Sequence, residues 1–419
     1  MHFRGNNTCR DSLTSSAKMK VYLFFVITLN CYYNYAVLAD CEIYPHEKNA
    51  PLLIKHGSSS FIYPQNGSET VPFADSEVVD LSCPGKKVVL GEKIVDQATV
   101  QATCISKSTF KVNEKEYHWS QIKCSAHPLT SVRKTRRKCG YRFMETDIGF
   151  QIDENRFVTT YSVCFDNVNQ NTLYSFFNLT PAIASYARGV PRPNFYEDKG
   201  FYHVGGQPVY KLYTRVGQRT TINKLIGLDY RSTKYVQNGA WYFLARGHLS
   251  AKADFVYAAQ QDATFKFLNV APQWQSFNGK NWERVESSTR EYAVAHNTYL
   301  LVWTGTHDVA SLPHEESGEQ IKLYLYVDGE KRGIPVPALY WKLIYNPTAK
   351  KGVVLIGHNN PYEKNIGKHV ICPDVSEKIQ WVSWNRTNIK DGYSYACDVE
   401  SFRKVVKHAP SVYVNGLLV

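Results

Sequence analysis

Cysteine placement constrains the fold of this chain more than any other feature of its sequence. Eight cysteines lie beyond residue 40, at Cys41, Cys83, Cys104, Cys124, Cys139, Cys164, Cys372 and Cys397. An even number in an oxidising compartment predicts up to four disulfides, although spacing alone leaves the pairs open. Five of the eight lie within residues 41–139, which predicts a disulfide-linked N-terminal region, and Cys372 with Cys397 would close a C-terminal loop. A zinc site is the competing interpretation, and the absence of any CxxC pair disfavours it.

The start of the chain reads as a secretory signal peptide. Met19 opens a second candidate start, followed by an apolar run over residues 21–29 and by small residues that end at Ala39. This run is much shorter than the roughly 20 residues that a membrane-spanning helix needs, so we expect cleavage and not a membrane anchor. The mature, extracellular chain then begins near Asp40. The first eighteen residues are either an upstream extension of the chain or a longer basic n-region.

Glycosylation sequons and charge agree with secretion and with a polyanionic partner. Beyond residue 40, sequons lie at Asn66, Asn178 and Asn385, where we expect exposed loops of a glycoprotein. Removing residues 1–39 leaves 45 basic and 36 acidic side chains, a net charge of +9. A positive surface concentrates nucleic acid near a protein, but many basic secreted proteins bind none, so charge alone is a weak indicator.

The stretch over residues 244–286 carries the side chains with the clearest chemistry. It contains LARGH and then FLNVAPQWQSFNGKNWERVE. His248 has the side chain that accepts a proton from water near neutral pH. Arg246 lies two residues earlier on a predicted strand, so it shares a face with His248 and can bind phosphate there. Amide and carboxylate oxygens suit a hard ion such as Mg²⁺, and the stretch offers them at Asn269, Asn278 and Glu286.

Each of these residues alone has a commoner structural explanation. A single histidine is usually a structural residue, an asparagine before a helix usually caps it, and a helical glutamate is usually solvated. The segment after Gly279 has helical periodicity with Asn281 as its predicted N-cap, which places Glu286 about two turns into the helix. The combination in one string, and not any single residue, favours a metal-and-base site for phosphodiester hydrolysis.

The string RGH, then N-x-A-P-Q, then N-x-x-x-W-x-R-x-E resembles the DNA/RNA non-specific endonucleases, and most closely their secreted arthropod members. These are ββα-metal, or His-Me finger, nucleases. The resemblance runs over residues 140–405, is tight over 241–292, and is recognisable again in ALYWKLIYNP and GHNNPY. It implies a hydrolase that cleaves DNA and RNA, including double-stranded RNA, to 5′-phosphate products. It also implies Mg²⁺ as the cofactor, with Mn²⁺ as a substitute.

The resemblance implies a role for each residue of the string. His248 is similar to the general base and Asn278 to the direct Mg²⁺ ligand. Glu286 is similar to the residue that orders water around the metal, and Asn269 to a supporting site residue. Arg246 resembles the arginine beside the base that contacts phosphate.

Two positions differ from the family pattern or fit it in more than one way. A further family arginine precedes an aromatic residue and an acid, and RPNFYED makes Arg192 the best candidate, with Arg188 as the alternative. The commonest family motif is DRGH, whereas position 245 here is Ala. The carboxylate of that Asp is therefore missing, and we expect its loss to affect the catalytic rate.

The length of the chain predicts two domains after the signal peptide. We expect a signal peptide with a possible N-terminal extension in residues 1–39, and a small β-rich, disulfide-linked domain in residues 40–130, where SEVVDLSCP and ATVQATCIS alternate. Residues 131–140 contain SVRKTRRK and are interpreted as a basic linker, with a nucleic-acid patch and a convertase cleavage site as alternatives. The endonuclease domain then occupies residues 141–419.

The endonuclease domain is predicted to be α+β. Strands are indicated by β-branched and aromatic enrichment in segments such as GFQIDENRFVTTYSVCFD, WYFLARGH, ALYWKLIYN and KGVVLIGHN. Helices are indicated at TTINKLIGLDY and CDVESFRKVV. This mixture predicts a mostly antiparallel central sheet with helices packed on it, and the ββα-metal finger core of the resembled family agrees.

Two other functions compete with the nuclease. A secreted nucleic-acid-binding protein on a nuclease scaffold, with weak or no catalysis, would fit Ala245 and the basic charge. A β-rich carbohydrate-binding or adhesive protein would fit the aromatic residues, sequons and disulfides, but it leaves the string that ends at Glu286 unexplained. The expected partners are DNA and RNA and not a membrane, and the sequence sets no oligomeric state.

Overall fold

An eight-stranded antiparallel sheet is the centre of the computed structural model, which describes residues 40–65 and 67–419. The second start and the signal peptide predicted in residues 1–39, and the sequon at Asn66, lie outside the described residues. The described chain forms one compact unit. Within it, no helix combines the length and the apolar character that crossing a membrane requires.

The region before residue 130 consists of short strands, as its alternating apolar segments predict. They are β1 (Cys41–Ile43), β2 (Leu52–Lys55), β3 (Val71–Phe73), β4 (Val78–Ser82), β5 (Val88–Leu90), β6 (Lys93–Ile94), β7 (Thr99–Ser106), β8 (Thr109–Val112), β9 (Lys115–His118) and β10 (Ile122–Cys124). Strands β2-β4-β7-β8-β9 form one antiparallel sheet, β10-β5-β6 a second, and β1 pairs with β3. The disulfides Cys41–Cys104 and Cys83–Cys124 cross-link this region. Its β-rich, disulfide-linked character is thereby confirmed.

The large sheet follows, with its strands in the order β11-β12-β13-β14-β17-β22-β23-β24. The strands of this part are β11 (Ser131–Cys139), β12 (Phe143–Gln151), β13 (Phe157–Asp166), β14 (Asn171–Leu179), β15 (Leu244–His248), β16 (Val270–Trp274), β17 (Leu300–Val309), β18 (Ser311–Pro313), β19 (Gln320–Lys322), β20 (Tyr324–Asp328), β21 (Lys331–Pro335), β22 (Pro337–Asn346), β23 (Lys351–His358) and β24 (Ser394–Cys397). The helices are α1 (Val209–Leu212), α2 (Arg215–Leu225), α3 (Ala258–Ala263), α4 (Gln275–Phe277), α5 (Glu283–Ala295) and α6 (Val399–Val405). The α+β prediction, with a mostly antiparallel sheet, is confirmed.

Helices cover both faces of the large sheet, so its central strands are buried on both sides. Alternate residues of β22 point to opposite faces. Tyr340 belongs to the core that contains Val285 of α5. Trp341 belongs to the core that contains Phe402 of α6. The face under α5 supports the candidate site described below.

Residues 131–139 form the edge strand β11 and not the basic linker that the sequence predicted. Two of its basic residues have acidic partners on β12, and the sequence of one segment does not reveal partners on another. Arg133 lies 2.9 Å from the buried Asp147 carboxylate, and Arg137 pairs with both Asp147 and Glu145. The exact boundary between the two predicted domains, cleavage of this segment and its binding to nucleic acid stay predictions.

The other two disulfides of the described chain lie in the region that starts with β11. Cys139–Cys164 joins β11 to β13, and Cys372–Cys397 closes the predicted C-terminal loop. The four predicted disulfides are therefore present. Both described sequon asparagines are exposed, but Asn178 lies in β14 instead of the expected loop, whereas Asn385 does lie in a loop.

Candidate active site

A strand–strand–helix unit carries the predicted site. Strands β15 and β16 pair antiparallel, with His248 opposite Val270 and Arg246 opposite Pro272. Helical turns follow at once, through α4, a turn of π-helix over Asn278–Trp282, and α5. The prediction of a strand that delivers His248 is confirmed, and the unit has the ββα order expected from the resemblance.

Gly247 is required by the close packing of β15 on the large sheet. A Cβ at this position would lie 2.3 Å from Oε1 of Gln273 and 2.9 Å from the hydroxyl of Tyr340. The Tyr340 hydroxyl also donates to the carbonyl of Ala271 on β16, at 2.8 Å. The glycine between Arg246 and His248 therefore lets the hairpin rest directly on β22.

The helix that follows the hairpin begins earlier than the sequence predicted. Helical turns start at Gln275, so Asn281 lies inside them and is not the predicted N-cap. The Asn281 side chain is buried, donates to the carbonyls of Asn385 and Gly392, and accepts from the amide of Asn385. The helical periodicity of the residues after Gly279 did not reveal the π-helical turn over Asn278–Trp282. Such a turn inserts one extra residue into a helix and is common at functional sites.

A cleft of about 470 Å³ opens between this unit and the loop that carries Arg192. Five of the six predicted site residues line the cleft, namely Arg192, Arg246, His248, Asn278 and Glu286. Residues that the sequence analysis did not single out join them, among them Lys252, Gln275, Glu283 and Arg290. The structure therefore brings together, from three separate segments, a candidate base, cationic side chains and oxygen ligands.

His248 lies at the end of β15 with only 8% of its surface exposed. Its ring packs against Phe195 and Phe265, with centroid distances of 5.2 and 5.0 Å. Burial, together with the positive charges of Arg192 and Lys252, lowers the pKa of His248 to about 3. The ring is therefore neutral at neutral pH, and its buried Nε2 has no hydrogen-bond partner within the described residues. An unprotonated, unpartnered ring nitrogen is what a general base needs.

The same two aromatic rings position the arginines. The Arg246 guanidinium lies 5.3 Å from the Phe195 ring centroid, and the Arg192 guanidinium lies 5.4 Å from that of Phe265. Lys252 holds the loop that carries Arg192 by donating to the carbonyl of Val190 at 2.5 Å. Both guanidinium groups therefore border the cleft beside His248.

Arg188, the alternative to Arg192, lies in a different place. It lines a separate pocket together with residues 45–52 of the N-terminal region, and its guanidinium lies over the ring of Tyr186. The two arginines are four positions apart in the sequence, and only their surroundings in the structure distinguish them. The geometry favours Arg192.

The oxygen ligands offered to the cleft fit a hard divalent ion. Nδ2 of Asn278 donates to Oε1 of Gln275 at 3.1 Å, so its amide oxygen remains as the acceptor. Glu286 supplies a carboxylate from the same helical segment, and the exposed Glu283 adds another at the rim. Amide and carboxylate oxygens beside open solvent suit Mg²⁺, which keeps several of its waters.

Glu286 belongs to a group of charges between α5 and the large sheet. Burial and the neighbouring Asp254 carboxylate raise the pKa of Glu286 to about 7, against the opposing effects of Lys342 and Arg290. Arg290 pairs with Asp254 at 2.8 Å, and the buried Lys342 donates to the hydroxyl of Thr304 at 2.7 Å. Arg290 and Lys342 thus offset the charge of the two carboxylates beneath the cleft.

Asn269 is the one predicted site residue that does not reach the cleft. It is fully buried, and its side chain accepts from the amide of Ser250 and donates to the carbonyls of Ser250 and Thr264. Because these bonds occupy its amide group, Asn269 does not offer an ion the free amide oxygen that the sequence suggested. Asn269 instead fixes the backbone that directly follows His248.

Sequence reasoning missed the charged residues around Glu286 for two reasons. Arg290 lies four residues after Glu286 on α5, a spacing that places both on one helix face and that was available as a signal. Lys252 and Asp254 follow His248 in the same stretch, where no local pattern marks them, and Lys342 lies far away in the sequence, on β22.

Two proteins that are similar to this chain are described as salivary. A protein described as a salivary endonuclease of Lutzomyia longipalpis is 28% identical over 369 residues, which is 85% of each chain. Salivary protein Tsal1 of Glossina morsitans morsitans is 23% identical over 406 residues, covering 91% of this chain and 95% of that protein.

A solved structure, the crystal structure of the EndoG/EndoGI complex, aligns with 64% of this chain and 91% of its own at 20% identity, with a TM-score of 0.38. The family model for DNA/RNA non-specific endonucleases matches residues 141–402, a span that contains the entire hairpin and cleft, and this chain therefore belongs to that family of nucleases.

Proposed function

We propose that this nuclease is a secreted, Mg²⁺-dependent and sugar-non-specific endonuclease that cleaves DNA and RNA, including double-stranded RNA, to 5′-phosphate products. The observation that carries the proposal is the meeting of a neutral, unpartnered His248 with Arg246 and Asn278 in one cleft. The salivary origin of the relatives and the four disulfides support secretion.

His248 is the general base of the proposed mechanism. Its unprotonated ring takes a proton from a water molecule as that water attacks phosphorus in line with the leaving 3′ oxygen. Phe195 and Phe265 hold the ring in place, so the base is oriented before substrate arrives. Arg246 and Arg192 bind the non-bridging phosphate oxygens and offset the negative charge that develops there.

Asn278 is the proposed direct ligand of Mg²⁺, and Glu286 orders water on the same side of the cleft. When bound, the ion supplies electrostatic stabilisation of the phosphate and of the leaving oxygen. Asn269 acts as a positioning residue, since it fixes the chain after His248. All of these groups address the phosphate backbone, so little base preference is expected.

Digestion of two substrates tests this proposal. Purified protein is offered plasmid DNA and double-stranded RNA, each with Mg²⁺ and with EDTA, and the product ends are tested for 5′-phosphate by direct ligation. We expect cleavage of both substrates with Mg²⁺, none with EDTA, and products that ligate without prior phosphorylation.

Two outcomes would contradict it. Cleavage that persists in EDTA would exclude the metal requirement. Salt-sensitive binding without cleavage would favour the second candidate, a nucleic-acid-binding protein on a nuclease scaffold, which the Ala at position 245 in place of the family Asp motivates.

A further inference from the structure

A second group of metal-ligating side chains lies outside the active-site cleft. His358 ends β23, and Glu363 and His369 lie in the loop that follows it. One ligand atom from each of the three lies within 4.8 Å of the other two. None of the three lines the cleft that contains His248. We propose that these residues form a binding site for a zinc-class divalent ion, which stabilises the loop behind the catalytic hairpin.

His358 provides the buried side of the proposed site. Only 1% of its surface is exposed, and its Nδ1 is buried without a hydrogen-bond partner in the part of the chain that the structure describes. Its ring centroid lies 4.3 Å from that of His369. A buried, unpartnered ring nitrogen costs free energy, and binding an ion at this ring would offset the cost.

Glu363 is oriented by the backbone toward the other two ligands. Its Oε1 accepts from the amides of Lys364 and Asn365, both at 2.9 Å. Its Oε2 lies 3.0 Å from Nε2 of His369. Two ligand atoms of a tetrahedral zinc site with bonds near 2.0–2.1 Å are about 3.3 Å apart, so the pair needs little movement to share an ion. Backbone bonds that fix a ligating carboxylate are the usual outer support of such sites.

The positive charge of Lys368 disfavours the binding of a cation at this site. Its Nζ lies 3.0 Å from Oε2 of Glu363, in the position of a competing cation. However, 45% of the Lys368 side chain is exposed, so it can turn into water when an ion binds. The ion and Lys368 therefore compete for the same carboxylate oxygen.

The ligand set selects the chemical class of the ion. Two imidazoles and one carboxylate are typical of zinc and of neighbouring transition metals, whereas Mg²⁺ and Ca²⁺ prefer oxygen ligands throughout. The chain supplies three ligands, which leaves a fourth position for water. This site and the cleft around Asn278 therefore differ in the metals that they prefer.

The loop that carries the site is attached to the catalytic hairpin. Next to His358, Asn359 accepts from the amide of Trp274 and donates to the carbonyl of Pro272, both on β16. The ring of Tyr362 packs on that of Trp274, at 5.4 Å between centroids. An ion held by residues 358–369 would thus stiffen the support of β16, and we assign it a structural part and not a part in the reaction.

Zinc content and thermal stability test the site. The full-length mature protein is stripped with a chelator, equilibrated with zinc sulfate at micromolar concentration and desalted, and bound zinc is measured by mass spectrometry. We expect about one zinc ion per chain. Asn278→Ala is the matched control and should bind the same amount, because it alters only the cleft. His369→Ala should weaken zinc binding by more than the roughly 100-fold that loss of an outer-shell partner costs.

A second variant keeps the result interpretable if the loop of His369→Ala is disturbed. Glu363→Gln retains the size of the side chain, so the metal-free protein should keep its melting temperature, whereas zinc should raise Tm in the wild type and not in this variant. A wild type that binds no zinc, or a His369→Ala protein that binds as much as the wild type, would overturn the proposal. Neither result would bear on cleavage of nucleic acid.

Discussion

At the scale of single residues, the environment of His248 determines what it can do. Burial against Phe195 and Phe265 disfavours the charged ring, and Arg192 and Lys252 add to that effect. The result is an imidazole ring that stays unprotonated well below neutral pH, as the proposed base requires. The surrounding cations make the cleft attractive to a phosphate and at the same time keep the base neutral.

Arg192 and Arg188 give a matched pair of substitutions. We expect Arg192→Ala to lower kcat/KM for double-stranded RNA by roughly 100-fold, the usual cost of removing one group that stabilises transition-state charge. Arg188→Ala should leave kcat/KM within a few-fold of the wild type, because that side chain lines a different pocket. Equal losses in the two variants, measured under single-turnover conditions, would show that the assignment of Arg192 is wrong.

At the scale of elements, the hairpin β15–β16 sets the position of His248, the proposed base. Its first strand can rest on Tyr340 because residue 247 is a glycine, and its second strand is tied to the large sheet through Asn359. The side chain of Asn269 is fully buried, and its three hydrogen bonds hold the backbone that follows His248. The position of His248 therefore depends on buried amide side chains that do not line the cleft.

Asn269→Ala tests this supporting part. Removing the side chain leaves the amide of Ser250 and two carbonyls without partners, each at a cost of about 1–3 kcal/mol. We expect the free energy of unfolding, measured by urea denaturation, to fall by about 3 kcal/mol, with a loss of activity that follows from the disturbed hairpin. Unchanged stability combined with complete loss of cleavage would mean that Asn269 acts directly in the reaction.

The elements were easier to predict than the contacts between them. RGH on a strand, the strands β12, β13, β22 and β23 of the large sheet and α6 follow from local composition, and His248, Arg246, Asn278 and Glu286 were predicted from one string. The burial of Asn269 and the inner position of Asn281 were missed, because each depends on a partner segment that folds against it. The partners of β11 were missed for the same reason, since its acidic neighbours lie on β12.

At the scale of the whole molecule, the N-terminal region and the nuclease region share buried contacts. Leu52 and Ile54 of β2 pack in the same core as Ile148 and Phe150 of β12. His46 contacts the carbonyl of Ser185 at 2.6 Å. The N-terminal sheets therefore add to the stability of the region that carries the cleft.

Acid should destabilise the molecule partly through Asp147. Burial acts to raise the pKa of this carboxyl, but hydrogen bonds from Arg137, Arg133 and Ser162 outweigh it and hold the pKa below its usual value. A lowered folded pKa contributes stability above the unfolded value of about 3.9, and that stability is lost as pH falls through the folded pKa. Asp147→Asn should thus cost about 2 kcal/mol near pH 7 and progressively less below about pH 4.

The exposed Asp96, which pairs with Lys87 at the surface, provides the control. Asp96→Asn should leave the free energy of unfolding unchanged within error at both pH values, since surface pairs contribute little. Urea denaturation at pH 7 and pH 3.5 makes the comparison. A penalty for Asp147→Asn that stays constant with pH would contradict the linkage.

The central claim is that His248 is the base of a nuclease, and one comparison tests it most directly. The rate of Mg²⁺-dependent cleavage of plasmid DNA is measured for the wild type, for His248→Ala and for His118→Ala, whose histidine is exposed in the N-terminal region. We expect His248→Ala to lose roughly 10²- to 10⁴-fold in rate while keeping its affinity for DNA and its melting temperature, and His118→Ala to match the wild type. Cleavage by His248→Ala at the wild-type rate would contradict the account.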